Sequence, residues 1–423
     1  MHSQLEMGSR LERLLASGVA AWTREGRPGP LLRALSVAKG GESVLARLEL
    51  SSWQRILGAL VGARLQRPGW PGEVDEAIRE GFGLLLRFSR PRGGVATGLA
   101  GAESAREAKR LLLALATAFP QTGEARVVGW WYGLGELVHT PPPLPAWASS
   151  GGPLASLRAD WSRAGDFVVV DHRTAGPGSR LEVFGAGASW LGPDWSVGVD
   201  GDCICTKPRV VLWNSSSTAD VLEWSWRIGA VRWSRVAILL RGRRQAILAD
   251  QVEASPRQSL GVVETRLGLP AGVIARPLEG SRGFQLRSAA GRVGAVLPVG
   301  LPALSYPTER GGLTAADEVG RLILRQRVEG RRGWLPWLVT WDSGRCRRPV
   351  RWRLLTVSQR SRICPPEVAS AVRVSWGRND QLVLYRSLAA AQRRAFLGRQ
   401  TAARMLVGRF TSKGEIEPLL EVS

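Results

Sequence analysis

PPPLPAWASSGGP, residues 141–153, is the stretch on which the fold turns, because apolar residues repeat differently on its two sides. Before it the repeat is helical. In SSWQRILGALVGARLQ (51–66), Trp53, Ile56, Leu57, Leu60 and Val61 fall at i, i+3, i+4, i+7 and i+8, the stripe of an amphipathic helix, with Ser51 or Ser52 expected as its cap. EVDEAIREGFGLLLRF (73–88) opens with acids that complement a helix N-terminus, and AESAREAKRLLLALATAF (102–119) repeats the design.

After the prolines the period falls to two. VLEWSWRI (221–228) sets Leu222, Trp224, Trp226 and Ile228 against Glu223, Ser225 and Arg227, which reads as a half-buried strand. LPWLVTW (335–341) alternates Leu335, Trp337, Val339 and Trp341, and VRVSW (372–376) alternates Val372, Val374 and Trp376. Many such segments, separated by Gly, Pro and Asn-Asp turns, argue for antiparallel sheets rather than alternating βα units. The expectation is an α+β chain: a helical N-terminal domain over 1–145, a proline linker, and a large antiparallel β-sandwich over 150–423.

The chain has 423 residues and a net charge of +22, which invites a polyanion as partner. All but four of its 58 basic residues are arginine, and it holds only two asparagines, a composition that a GC-rich genome also produces. The arginines are scattered apart from RGRR (241–244), RRGW (331–334) and RCRRPVRWR (345–353). The N-terminus MHSQLEMGSRLERLL lacks the parts of a secretory signal, and no apolar run is long enough to span a membrane, so a cytoplasmic protein is expected, with periplasmic export left open. Cys203, Cys205, Cys346 and Cys364 form neither a disulfide framework nor a zinc pattern. Phosphate-loop, dinucleotide and HExxH signatures are absent, so no cofactor and no metal are expected.

In GWWYGLGELVHTPPPLP (129–145), a helix continued to His139 would place Tyr132, Glu136 and His139 at i, i+4 and i+7 on one face, an arrangement suited to acid–base chemistry. The same residues also read as a last helical turn, weakened by Gly133 and Gly135, with His139 complementing the helix dipole. Of the 18 tryptophans most alternate with the core pattern; Trp190 and Trp195, in ASWLGPDWS (188–196), are expected to be exposed and to offer indole faces to sugar rings. Asp220 and Asp250 read as turn caps or arginine partners.

LRADWSRAGDFVVVDHR (157–173), followed by LEVFGAGASWLGPDW (181–195), WNSSSTADVLEWSW (213–226) and RVAILLRGRRQAILADQVEA (235–254), resembles the heparinase II/III-like polysaccharide lyases at the entry to their C-terminal β domain. The resemblance spans about 150–305. It implies a helical α/α toroid, a β-sandwich, and β-elimination of acidic sugar polymers, in which a uronate carboxylate is neutralised, a proton is removed by a Tyr or His base, and the leaving oxygen is protonated. Carried onto this chain, Tyr132, His139 and His172 become the acid–base groups, and Arg158, Arg163 and Arg173 the carboxylate partners. Two departures stand out. Active members of the family carry a His-x-His-x-Asp stretch where this chain reads TAGPGSRLEVF (174–184), leaving His172 beside Asp171. A full toroid also needs about 250 to 350 residues, and only about 145 precede the sandwich.

Three readings follow: a lyase-like protein that binds an acidic polysaccharide with weak or no activity, an active carbon–oxygen lyase, or a basic nucleic-acid-binding or assembly protein.

Overall fold

The computed structural model describes residues 13–21, 24, 29–36, 50–66, 71–91, 93–96, 102–134, 140–150, 152–173, 175–198, 203–256, 258–304, 310–316 and 320–423. They fall into two compact units, one drawn from the chain up to Ser156 together with Asp160–Ala164, the other from Leu157–Ala159 together with Gly165–Ser423.

The first unit contains the helices Gly29–Ser36, Leu50–Gln66, Gly72–Phe88, Ala102–Ala118 and Gly123–Tyr132. Each buries the apolar stripe its sequence encodes: Ile56, Leu57, Leu60 and Val61 from one, Val74, Ile78, Phe82 and Leu85 from the next. The side chain of Trp53 lies outside the description. Leu50–Gln66 begins one residue before the serines expected to cap it, so Ser51 and Ser52 lie in its first turn.

The proline stretch is packed rather than a free tether. Trp161 Nε1 donates to the Pro143 carbonyl at 2.7 Å, Arg87 Nε donates to the Leu144 carbonyl at 3.2 Å, and Trp147 meets Phe88 edge to face. Proline has no N–H to lose, so its carbonyls are what the surroundings hold.

The second unit is built of antiparallel sheets. One contains Phe167–Asp171, Gly178–Gly185, Asp194–Val197, Gly261–Gly268, Arg321–Val328 and Gly311–Ala316 in that order, with Ala188–Leu191 beside Gly178–Gly185. A second runs Ile274–Pro277, Phe284–Arg287, Val293–Leu297, Arg332–Thr340, Gln245–Glu253, Val231–Leu240, Ala219–Ile228 and Arg209–Ser215. A third runs Arg351–Leu355, Ala369–Ser375, Gln381–Ser387, Met405–Phe410 and Ile416–Val422, and a small sheet contains Arg394–Phe396 and Arg399–Thr401.

The second sheet is covered on both faces, which corrects the half-buried reading of VLEWSWRI. Val221, Val236, Ile238, Ile247 and Leu338 share a core with Trp352, Val372, Val374, Leu384 and Val407 of the third sheet. From the opposite face, Trp224 meets Trp195 of the first sheet edge to face at 5.7 Å. Residues of either parity along Ala219–Ile228 are therefore buried, and the second unit has three β layers rather than the two of a simple sandwich.

Candidate functional site

In the second unit, Phe167–Asp171 delivers His172 into an apolar pocket formed by two neighbouring tryptophans. The Trp224 and Trp226 rings meet the imidazole edge to face at 6.3 and 4.8 Å. Trp224 Nε1–H donates to His172 Nδ1 at 2.8 Å. An indole nitrogen only donates, so Nδ1 is the bare nitrogen; Nε2 therefore carries the hydrogen, and it donates to the Gly176 carbonyl at 3.1 Å. The ring is 1% exposed. Burial first, and the nearby Arg235 charge second, push its pKa down to about 3. Both ring nitrogens are hydrogen-bonded and burial favours the neutral form, so this geometry leaves His172 no free nitrogen for the acid–base role expected of it.

Asp171 and Arg173, on either side of that histidine, form a two-point ion pair with both contacts at 2.9 Å. Burial raises the Asp171 carboxyl, but the charge and hydrogen bonds of Arg173, helped by Arg180, bring it below its ordinary range. Arg158 is 0% exposed, its guanidinium 4.2 Å from the centre of the Phe167 ring, so it is corrected as a ligand-facing arginine.

Trp190 and Trp195 are 1% and 0% exposed, which overturns the expectation that they present rings to sugar. The segment between them lies largely in strands, not in a loose loop. Trp190 Nε1 donates to the Gly185 carbonyl at 3.1 Å. Trp195 Nε1 donates to Asp250 at 2.8 Å, and the other oxygen of that carboxylate accepts from Arg235 Nε at 2.8 Å. Arg235 also donates to Ser179 Oγ and the Trp195 carbonyl, and lies over the Trp195 and Trp226 rings. Desolvation lowers the Arg235 pKa, with Asp250 opposing it. Asp220 is likewise paired, with Arg241 at 2.7 Å.

In the first unit, Gly123–Tyr132 is capped by Thr122, whose hydroxyl accepts from Ala125 N, and ends at Gly133 in the left-handed region at φ 73°. The described helix ends at Tyr132, and Glu136 and His139 lie outside the described residues. The Tyr132 hydroxyl is buried without a partner among the described residues, and burial pushes its pKa up to about 12. That opposes proton abstraction near neutrality, which needs an accessible phenolate. Lys109 Nζ lies 5.0 Å from the centre of its ring. Arg163, in this unit, donates to the Trp130 carbonyl at 3.1 Å.

A polar cluster in the second unit has no counterpart in the sequence-predicted site. Glu223 accepts from Arg386 and Arg404 at the edge of a cleft of about 230 Å³. A carboxylate at Glu223, flanked by Leu222 and Trp224 in ADVLEWSWRI, was the one available signal. Its partners lie 163 and 181 residues further on. Among the described residues no group of three or more His, Cys, Asp or Glu side chains could hold a metal ion, and no helix is long and apolar enough to cross a membrane.

No family model matches this chain, and no curated protein does. Among solved structures, it is similar to a crystal structure of a heparan sulfate lyase HepC mutant from Pedobacter heparinus, with a TM-score of 0.61 and 13% identity over 90% of this chain. The match covers 66% of the lyase chain, so this chain spans just under two thirds of its length. Likeness at that identity defines the class by fold alone: this is a chain with a heparinase-like fold.

Proposed function

We propose that this is a heparinase II/III-like protein that binds an acidic polysaccharide with little or no lyase activity, its N-terminal helices a shortened form of the α/α toroid. The observation that carries the reading is His172. The resemblance puts histidine chemistry in this stretch, and the remaining imidazole is buried, neutral and hydrogen-bonded through both nitrogens. The raised Tyr132 pKa argues in the same direction. A net charge of +22 and the heparinase-like fold support an anionic partner.

Of the three arginines expected to meet the carboxylate, Arg173 is the best placed in the second unit, with 17% of its side chain exposed beside Asp171. Calorimetric titration of the full chain with heparan sulfate and with alginate, at low and at physiological salt, tests the reading. Saturable binding that weakens with salt is expected, and Arg173→Ala is expected to weaken it by about 1 to 3 kcal/mol, as for a charge-assisted hydrogen bond. Duplex DNA bound as tightly, with the same salt dependence, would favour a nucleic-acid-binding protein instead.

A further inference from the structure

The cleft beside Glu223 lies wholly within the second unit, and the strand registers explain its composition. Across Val231–Leu240 and Gln245–Glu253, Ser234 pairs with Gln251 and Arg232 with Glu253, just beyond the pairing of Val236 with Ala249. Val236 and Ala249 belong to the core shared with the third sheet. With a side-chain period of two, Ser234, Arg232, Gln251 and Glu253 continue that face, so the apolar core gives way to a polar mouth. Arg386, Arg404 and residues 387–391 line its other side.

The acids in this mouth are already engaged. Glu223 takes a two-point contact from Arg386 at 2.7 and 3.1 Å and a third from Arg404 at 2.8 Å. Glu253 accepts from Arg332 at 2.7 Å. The Gln251 carbonyl oxygen accepts from Arg386 Nε at 2.8 Å.

Several donors are left over. Arg404 Nε is buried and has no partner among the described residues. Ser234 is 6% exposed and lines the cleft, and among the described residues its hydroxyl makes no hydrogen bond. The Gln251 amide N–H₂, on a half-buried side chain, and the exposed Arg232 guanidinium have no acceptor among the described residues. Of these donors Arg404 Nε is the one buried with no acceptor among the described residues, which is costly, and Ser234, Gln251 and Arg232 add further donors to the lining, so this mouth favours a ligand rich in acceptors and negatively charged. Its volume of about 230 Å³ is the room of roughly seven waters, more than an inorganic oxyanion needs and about right for one hydroxylated ring. With no aromatic side chain in the lining, it offers no stacking surface for a nucleobase.

We infer that this cleft binds a carboxylate-bearing polyol about the size of one sugar ring. Arg232 and Arg404 take the carboxylate; Ser234 and the Gln251 amide take ring hydroxyls. The inference stands apart from the polymer reading, because it concerns a free small molecule and different arginines.

Titration of the full chain with D-glucuronate, D-glucose and inorganic sulfate, followed by calorimetry and by ligand-observed NMR, tests it. Glucuronate is expected to bind saturably, glucose much more weakly, and Arg232→Gln and Arg404→Gln each to weaken glucuronate by about tenfold with circular dichroism unchanged. Arg232 makes no hydrogen bond or ion pair among the described residues, so its variant keeps the test valid if Arg404→Gln disturbs the Glu223 cluster. No saturation by about 10 mM, equal affinity for glucose, or insensitivity to Arg232→Gln would overturn the proposal. Sulfate binding as tightly as glucuronate, with the same loss in the variants, would overturn it in favour of a simple oxyanion site. Arg173→Ala is expected to leave glucuronate affinity unchanged, which separates this site from polymer binding.

Discussion

His172 looks chemical in sequence, and in the fold it is buried and hydrogen-bonded through both ring nitrogens. Its pKa is about 3 when folded against an ordinary value of 6.5, so between those limits the unfolded chain holds a proton that the folded chain does not. Stability is therefore complete above pH 6.5 and falls as the pH drops towards 3, by a few kcal/mol in all. His172→Phe is expected to destabilise the protein at pH 7 by about 1 to 3 kcal/mol, because the Trp224 indole N–H loses its acceptor. The gap to wild type should narrow between pH 7 and pH 4 in denaturant titrations; a constant gap would mean that the imidazole is not held neutral. Asp250→Asn tests the neighbouring network. It leaves Arg235 charged and unpaired in the interior, and a loss of about 3 to 5 kcal/mol is expected in the same titrations. The existence of these residues was legible in the sequence, but their roles were not. Trp195 and its partner Asp250 are 55 residues apart, and nothing local marks an indole between Gly192, Pro193 and a strand as buried.

Helices were readable because their signal is local. The stripe in SSWQRILGALVGARLQ and the first-turn acids of Gly72–Phe88 place both elements to within a residue or two. The end of Gly123–Tyr132 was left open between a helix continued to His139 and one weakened by Gly133 and Gly135; the left-handed backbone at Gly133 closes it. Among the described residues nothing lies within 4 Å of a methyl group added there, so Gly133→Ala is expected to cost the conformational penalty of about 1 kcal/mol. Gly185 is a different case. A methyl on it would collide with the Trp341 indole and Asp166, which hydrogen-bond at 2.7 Å. Gly185→Ala is expected to cost about 3 kcal/mol, since neither group has room to retreat. Equal denaturation midpoints for the two variants would show that the close packing around Gly185 is not as described. Strand polarity was the harder reading, because alternation in VLEWSWRI reports chemistry and not exposure. Glu223 occupies the face opposite Trp224 and is buried there by Arg386 and Arg404.

Across the whole molecule, the change of period around PPPLPAWASSGGP announced antiparallel sheets correctly, but not that the second unit stacks them in three layers. Layer count depends on which sheet covers each face, and such contacts as Trp195 on Trp224 or Val236 with Val374 join positions remote in sequence. Function was legible mainly as an absence: TAGPGSRLEVF stands where the family resemblance expects a histidine-rich stretch. In the structure, Trp224 and Gly176 occupy both nitrogens of the remaining histidine. The proposal of recognition without turnover draws on a fold similar to that of a heparan sulfate lyase and on a chain rich in arginine. The most direct test is to hold the full chain saturated with heparan sulfate or alginate and follow the ultraviolet absorbance of the unsaturated uronate that β-elimination releases. No rise above the protein-free control, in the same samples in which calorimetry detects binding, is the expected result. A sustained rise that His172→Ala abolishes while binding persists would contradict the account and restore His172 to catalysis.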